Sequence, residues 1–285
     1  MAFDDMTPLR VLRNVATTVA AWRFAHSSMI PHTPGYNAYK AKAIERSITD
    51  ARIQQQFSNG KLAAGYGYHI DERIVEYPWA FSQLPASATR ILDAGSTFNY
   101  RHILRANALA GREITILTLD REGFLTAPQR VSYVYDDLRD LPFRDGRFDA
   151  TVCLSTLEHV GLDNSVFTPD PSKRENDPAA YMGAVRELIR VTSPGGRLLL
   201  TMPYGKHRSW GWFQVFDATM VQSIADVAAP RKVSETYFKY SGGQWQFATR
   251  VECDDCDSYV PGMSAERPSD GLAFSRGIVA LCVEV

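Results

Sequence analysis

Five apolar runs, at residues 90–94, 114–119, 131–135, 149–154 and 197–202, recur along the chain with helical or loop segments between them. Short runs without polar alternation mark strands buried on both faces, so this order predicts a parallel α/β sheet covered by helices. Two later runs, at 233–251 and 277–285, predict an antiparallel pair at the sheet's edge. The expected architecture is a doubly wound, mostly parallel sheet of seven strands over residues 88–285, preceded by a helical cap over 1–87. Within the cap, Pro8 to Ser28 and Asp71 to Leu84 read as helices, the latter interrupted or restarted at Pro78. Farther on, Ala179 to Val191 and Ala218 to Val227 read as helices, the first stopped by Ser193-Pro-Gly-Gly196.

The first strand runs into Ile91-Leu-Asp-Ala-Gly-Ser-Thr-Phe-Asn-Tyr100, where a strand breaks at a glycine and leads toward a helix. Asp93 stands at the strand's end, Gly95 can take the angles of a tight turn, and Ser96 to Asn99 offer polar caps for that helix. A dinucleotide fingerprint would place glycines at 95, 97 and 100, whereas the chain has Gly95, Thr97 and Tyr100. A pyrophosphate needs bare backbone at close range, while S-adenosyl-methionine (SAM) carries no phosphate and tolerates side chains there. The turn therefore favours SAM over NAD.

Composition narrows the partners. With 31 basic against 32 acidic residues the chain has no overall field to draw nucleic acid, and no local basic patch substitutes for one. Four cysteines in 285 residues are too few for a disulfide framework, and the absence of a long apolar span or a cleavable leader points to a cytoplasmic protein. Between Pro8 and Ser28, Leu9, Leu12, Val15, Val19 and Trp22 recur near helical spacing among Arg10, Arg13 and Arg23. Such a stripe packs on the main domain or on a second copy of the chain, and a homodimer through this helix is one expectation; a membrane surface is the lesser alternative.

Acids at the ends of the next two strands complete a nucleoside pocket. Asp120 closes Ile116-Leu-Thr-Leu-Asp120, at the distance beyond the turn where a carboxylate can accept from both ribose hydroxyls. Tyr135-Asp-Asp-Leu-Arg-Asp-Leu-Pro-Phe143 places acids before an apolar anchor; Asp137 can accept from an adenine amine while the Leu138 amide donates to a ring nitrogen, with Asp136 and Asp140 as competitors. Together with Phe148-Asp-Ala-Thr-Val-Cys-Leu-Ser-Thr-Leu-Glu-His-Val160 and Ser193-Pro-Gly-Gly-Arg-Leu-Leu-Leu-Thr-Met-Pro203, this order resembles the class I SAM-dependent methyltransferases over roughly residues 88 to 203. The resemblance implies a Rossmann-like fold and SAM as cofactor. It assigns Asp93, Gly95 and Ser96 to the methionyl side, Asp120 to the ribose, and Asp137 with Leu138 to the adenine. Thr97, where a second glycine is common, and Phe98 and Asn99 depart from the family pattern.

Methyl transfer to a hydroxyl is helped by a general base, and His159, just after the fourth strand, stands where that strand opens toward the cofactor. The long segment Gly161 to Pro178 lies where an acceptor would enter; its acids lack metal-binding spacing, so no metal is expected. Tyr204, His207 and Trp212, in the aromatic stretch after the fifth strand, are candidates for an acceptor wall, and Tyr66, Tyr68, His69 and Arg73 of the cap for its far side. Cys253-Asp-Asp-Cys256 has the spacing of half a zinc site and, with no second pair, reads as a loop with two thiols. The expected activity is methylation of a small-molecule acceptor, a hydroxyl of a sugar-like or secondary-metabolite substrate; a binding or scaffold protein keeping the same fold is the alternative.

Overall fold

The structure, a computed structural model, describes residues 8–122, 130–272 and 274–285. Four helices come first: α1 (Pro8–Ala25), α2 (Tyr36–Thr49), α3 (Ala51–Ser58) and α4 (Arg73–Gln83). Then β1 (Arg90–Ala94), α5 (Arg101–Leu104), β2 (Glu113–Thr118), β3 (Val131–Tyr135), β4 (Phe148–Leu154), α6 (Tyr181–Val191) and β5 (Thr192–Pro203) build the parallel part. A small hairpin, β6 (Arg208–Ser209) and β7 (Gln214–Val215), precedes α7 (Ala218–Ala228), β8 (Lys232–Ser241), β9 (Gln244–Ala248) and α8 (Arg250–Cys253). The chain closes with β10 (Ser258–Tyr259), β11 (Phe274–Ser275) and β12 (Gly277–Glu284).

The large sheet has the order β3-β2-β1-β4-β5-β12-β8-β9, parallel from β3 through β5. β12 runs antiparallel between β5 and β8, and β9 forms an antiparallel rim on β8. The doubly wound, Rossmann-like architecture is as expected, but the described sheet has eight strands instead of seven. The run at 233–251 is two strands because Gly242 and Gly243, both at positive φ, fold it back on itself.

Alternation along each strand feeds two apolar layers. On one face Ile91, Ile116, Val152, Leu199 and Ile278 pack with Phe57, Ile74 and Trp79 of the cap helices. On the other, Leu92, Leu117, Cys153, Leu200 and Val279 meet Val185 and Leu188 of α6 and Ile224 of α7. The cap helices thus cover one face of the sheet and share its core. α4 is continuous through Pro78, not restarted there, and buries every residue from Ile74 to Phe81. The α6 stripe is Tyr181, Ala184, Val185, Leu188 and Ile189, spaced for one helical face.

In α1, Ala21 and Phe24 are buried while Val15, Val19 and Trp22 stand in solvent, so the stripe expected to pack is split between two faces. The side chains of Leu9, Arg10, Leu12 and Arg13 lie outside the described residues. No described helix is long and apolar enough to cross a membrane. All four cysteines are free and buried, and among the described residues no three His, Cys, Asp or Glu side chains group as a metal site would.

Candidate active site

Strand order reverses direction between β1 and β4, and the crevice beyond the carboxyl ends of such strands is where ligands of doubly wound sheets bind. A cavity of about 490 Å³ opens there, a size suited to a small molecule with its cofactor. The turn after β1 forms its floor. Asp93 is fully buried; its Oδ1 accepts from the Thr97 amide at 3.1 Å and hydroxyl at 2.8 Å, and its Oδ2 from the Phe98 amide at 2.7 Å. Burial pushes this carboxyl up to about 7 against the pull of those donors. Asp93 therefore faces the turn it braces and does not line the cavity. Thr97, the departure from the family pattern, has a structural cause: its hydroxyl adds a bond to Asp93 that a glycine would lack.

Gly95 sits at φ +115°, and a Cβ there would lie 2.2 Å from Thr156 Oγ1. Both the angle and the space demand glycine. Ser96 follows at φ +59° and lines the cavity with Gly95 and Thr97. The helix expected to begin at this turn does not: α5 is a single turn starting at Arg101, with no side-chain cap at Tyr100. Ser96 and Asn99 instead donate to Glu122 Oε2, at 2.8 and 3.0 Å. Glu122 also takes Thr118 Oγ1 on Oε1 at 3.2 Å and lines the cavity.

The expected ribose acid does not join it there. Asp120 is absent from the cavity wall, since its Oδ2 accepts from Thr168 Oγ1 at 2.9 Å and its Oδ1 from the Arg121 amide. Glu122, two residues along, lines the cavity and was not singled out from the sequence. Asp137 and Leu138 do line the cavity. Asp137 is gripped by Arg139, through Nε at 2.9 Å and Nη2 at 2.7 Å, and by Lys173 Nζ at 2.7 Å, cations that hold its carboxyl well below the usual range. Asp136 lines the cavity as well. The apolar anchor behaves as expected, with Leu141 buried and Phe143 set edge-on to Phe148 at 4.9 Å.

The segment 161–178 roofs the cavity. Three side-chain ties hold it to the sheet side: Thr168 to Asp120, Lys173 to Asp137, and Glu175 to Arg139 through both carboxylate oxygens. Beneath it, His159 lines the cavity at the end of the short turn that follows β4. Its Nδ1 lies 2.8 Å from the Trp212 carbonyl oxygen, which can only accept, so the proton sits on Nδ1 and Nε2 keeps a lone pair. The ring stacks on Trp212 at 5.3 Å and meets the edge of Phe167 at 4.9 Å. Burial pulls this imidazole down to about 4, so it is neutral at pH 7.

The aromatic stretch after β5 is placed differently from expectation. Tyr204 is buried with its hydroxyl on Asp254, and His207 bonds the Val215 carbonyl within the β6–β7 hairpin; neither reaches the cavity. Trp212 stands behind His159 and outside the wall. Of the cap candidates, Arg73 lines the cavity, held by Glu76 and the Leu154 carbonyl, each at 3.1 Å. Tyr77 joins it there, donating to the Thr97 carbonyl. Tyr66 is spent on Ser47 and the Ile74 carbonyl, and His69 on the Met29 carbonyl, while Tyr68 stacks on His69.

Comparison with known proteins agrees with the resemblance read from the sequence. Residues 108–200, a third of the chain, match the family model described as a methyltransferase domain. The match supports an enzyme of methyl transfer that uses SAM. No curated protein matches the sequence. Among solved structures, a SAM-dependent methyltransferase from Mesorhizobium loti is 13% identical, with a TM-score of 0.45 over 73% of this chain and 97% of that one. The Burkholderia thailandensis 1,6-didemethyltoxoflavin-N1-methyltransferase, with bound S-adenosylhomocysteine, is 14% identical, with a TM-score of 0.42 over 72% of this chain and 73% of that one. A methyltransferase structure from Haloferax volcanii, in complex with the Trm112 activator, is 15% identical, with a TM-score of 0.43 over 85% of this chain and 97% of that one.

The lining of the crevice fits SAM: Gly95, Ser96 and Thr97 border it at the turn, and Glu122, Asp136 and Asp137 bring carboxylates to it.

Proposed function

We propose that the protein is a SAM-dependent methyltransferase that methylates a hydroxyl of a small secondary-metabolite-type molecule held between the sheet's carboxyl edge and the 161–178 roof. The observation that carries this reading is His159, a neutral imidazole in the cavity wall whose Nδ1 proton is committed to the Trp212 carbonyl. Its Nε2 is thereby the basic atom offered to an acceptor.

Bound SAM supplies a methyl on a positively charged sulfur, an electrophile whose leaving group needs no protonation. The protein's share is placement and proton removal, and placement alone is worth roughly 7–11 kcal/mol in favourable cases. Gly95 and Ser96, braced by Asp93, take the methionyl side, and Arg73 its carboxylate. Glu122 accepts from the ribose hydroxyls, with Asp120 supporting that corner from behind. Asp137 and Leu138 take the adenine. His159 Nε2 receives the acceptor's proton, and the Trp212 carbonyl then stabilises the imidazolium that forms.

Titration calorimetry with SAM tests the assignment. The wild type binds, and Glu122→Gln weakens binding about tenfold or more, as expected for a charge-assisted bond worth roughly 1.5–3 kcal/mol. No SAM binding, or binding indifferent to Glu122, overturns the site. Tight binding without turnover on any hydroxyl acceptor would leave a binding or scaffold protein.

A further inference from the structure

The cavity wall carries open apolar surface, part of it against His159. Tyr100, Val166 and Phe167 line the cavity and yet are 53%, 65% and 51% exposed. Surface of that kind in contact with a binding site is covered when the ligand is apolar. Three polar side chains of the wall are already engaged within the protein. The Asn164 amide nitrogen donates to the carbonyls of His159 and Leu162, both at 3.0 Å; Ser155 Oγ donates to Glu76, and Thr156 Oγ1 to the Leu154 carbonyl. A sugar ring, whose several hydroxyls need donors as well as acceptors, finds those donors spent. A flat apolar ring needs none of them.

Resting on the reading of His159 as base, we propose that the acceptor is a phenol whose aromatic body lies against Tyr100, Val166 and Phe167 with its hydroxyl at His159 Nε2. The oxygen–methyl bond forms as the carbon–sulfur bond breaks, the electron pair leaves with the sulfur, and the hydroxyl proton passes to Nε2. The weak basicity of His159, held near 4 by burial, agrees. A phenol ionises near 10, as tyrosine does, whereas an alcohol hydroxyl resembles water at about 15.7 and is far harder to deprotonate.

The test uses the full-length chain with SAM and three acceptors: 2-naphthol, phenol and methyl glucoside. Naphthol is expected to be the best, phenol weaker for want of the second ring, and the glucoside inert. Val166→Asn and Phe167→Ala are each expected to lower the naphthol-to-phenol ratio of kcat/KM about tenfold, because they remove apolar cover from the far ring. A general loss of structure would depress both acceptors and leave the ratio alone. Methylation of the glucoside at least as efficient as that of naphthol, no methylation of either phenol, or a ratio unmoved in both variants overturns the proposal. Calorimetric SAM binding on the same preparations separates this failure from that of the cofactor site: if SAM binds and only the glucoside is methylated, the acceptor class alone is wrong, and if SAM binds and no acceptor is methylated, the proposed transfer to a hydroxyl falls with it.

Discussion

The floor and the roof of the cavity are built by different means. The floor is the turn after β1, where a buried carboxylate takes three donors, a glycine is fixed by both angle and space, and Tyr77 clamps the Thr97 carbonyl. The roof, residues 161–178, is tied by the buried Thr168 and by two ion pairs that are partly open to solvent, with Lys173 and Glu175 at 26% and 24% exposure. Buried bonds are costly to break because the orphaned groups cannot reach water, while partly exposed ion pairs contribute little and are screened by salt. One crevice thus joins a wall that cannot give way to one that can, which suits a site that keeps its cofactor in register while acceptors come and go.

The sharpest way to break this contrast is at Gly95. Gly95→Ala places a Cβ against Thr156 and forces an alanine to φ +115°, so a loss of about 3 kcal/mol in unfolding free energy is expected, with SAM binding lost. Adding Thr156→Gly removes the collision but not the angle, and should recover part of the stability in a denaturant titration. Full recovery would mean that the turn is not conformationally constrained.

Next in size is chemistry at the meeting of floor and roof. His159→Ala should lower kcat by roughly 10²–10⁴ while SAM affinity changes less than twofold. The wild-type profile should stay flat from pH 8 down to about 5 and fall as the imidazole protonates near 4. The sign for stability is the same: a histidine depressed below its unfolded 6.5 favours the native state fully above that pH and loses the contribution as pH falls toward 4. A rate limb at 6.5 would show that His159 is solvated and that the roof does not bury it.

The two walls also differ in how much of them could be read from the sequence. The brace that Asp93 gives the turn is legible because its partners Thr97 and Phe98 lie within a few residues, although the turn keeps Asp93 itself out of the cavity. Glu122 was hidden because its role depends on Ser96, Asn99 and Thr118 converging on it from two strand ends. Asp120 misled for the complementary reason: Thr168, which occupies it, is 48 positions away. Tyr204 fails as an acceptor residue through Asp254, 50 positions on, and the 233–251 run hides a hairpin because aromatic and polar residues alternate as in a strand on both sides of its glycines. Strand order is set by local pattern; the direction of a long side chain is set by distant partners.

A middle-sized effect should come from Arg139→Ala, which frees Glu175 and leaves Asp137 with Lys173 alone. The roof should become cleavable by protease within 161–178 while the melting temperature drops by only a few degrees, since the pairs are partly solvated. Equal loss of protection in the β1 turn would mean that floor and roof open as one unit, and the contrast between them would fall.

The smallest expected effect is the most discriminating. Thr168→Val keeps the shape of the side chain and deletes the single bond to Asp120, 2.9 Å long, at a cost of about 1 kcal/mol confined to the roof. Amide hydrogen exchange across 161–178 should then speed up several-fold, with exchange at Thr97 and Phe98 unchanged. SAM affinity should hold as well, because Glu122, and not Asp120, faces the cavity. If Thr168→Val instead tightens SAM binding, Asp120 is the ribose acid after all, with the roof hydroxyl standing in its place until the cofactor arrives. Floor and roof would then compete for one carboxylate, and the order in which cofactor and acceptor bind would be written into that exchange.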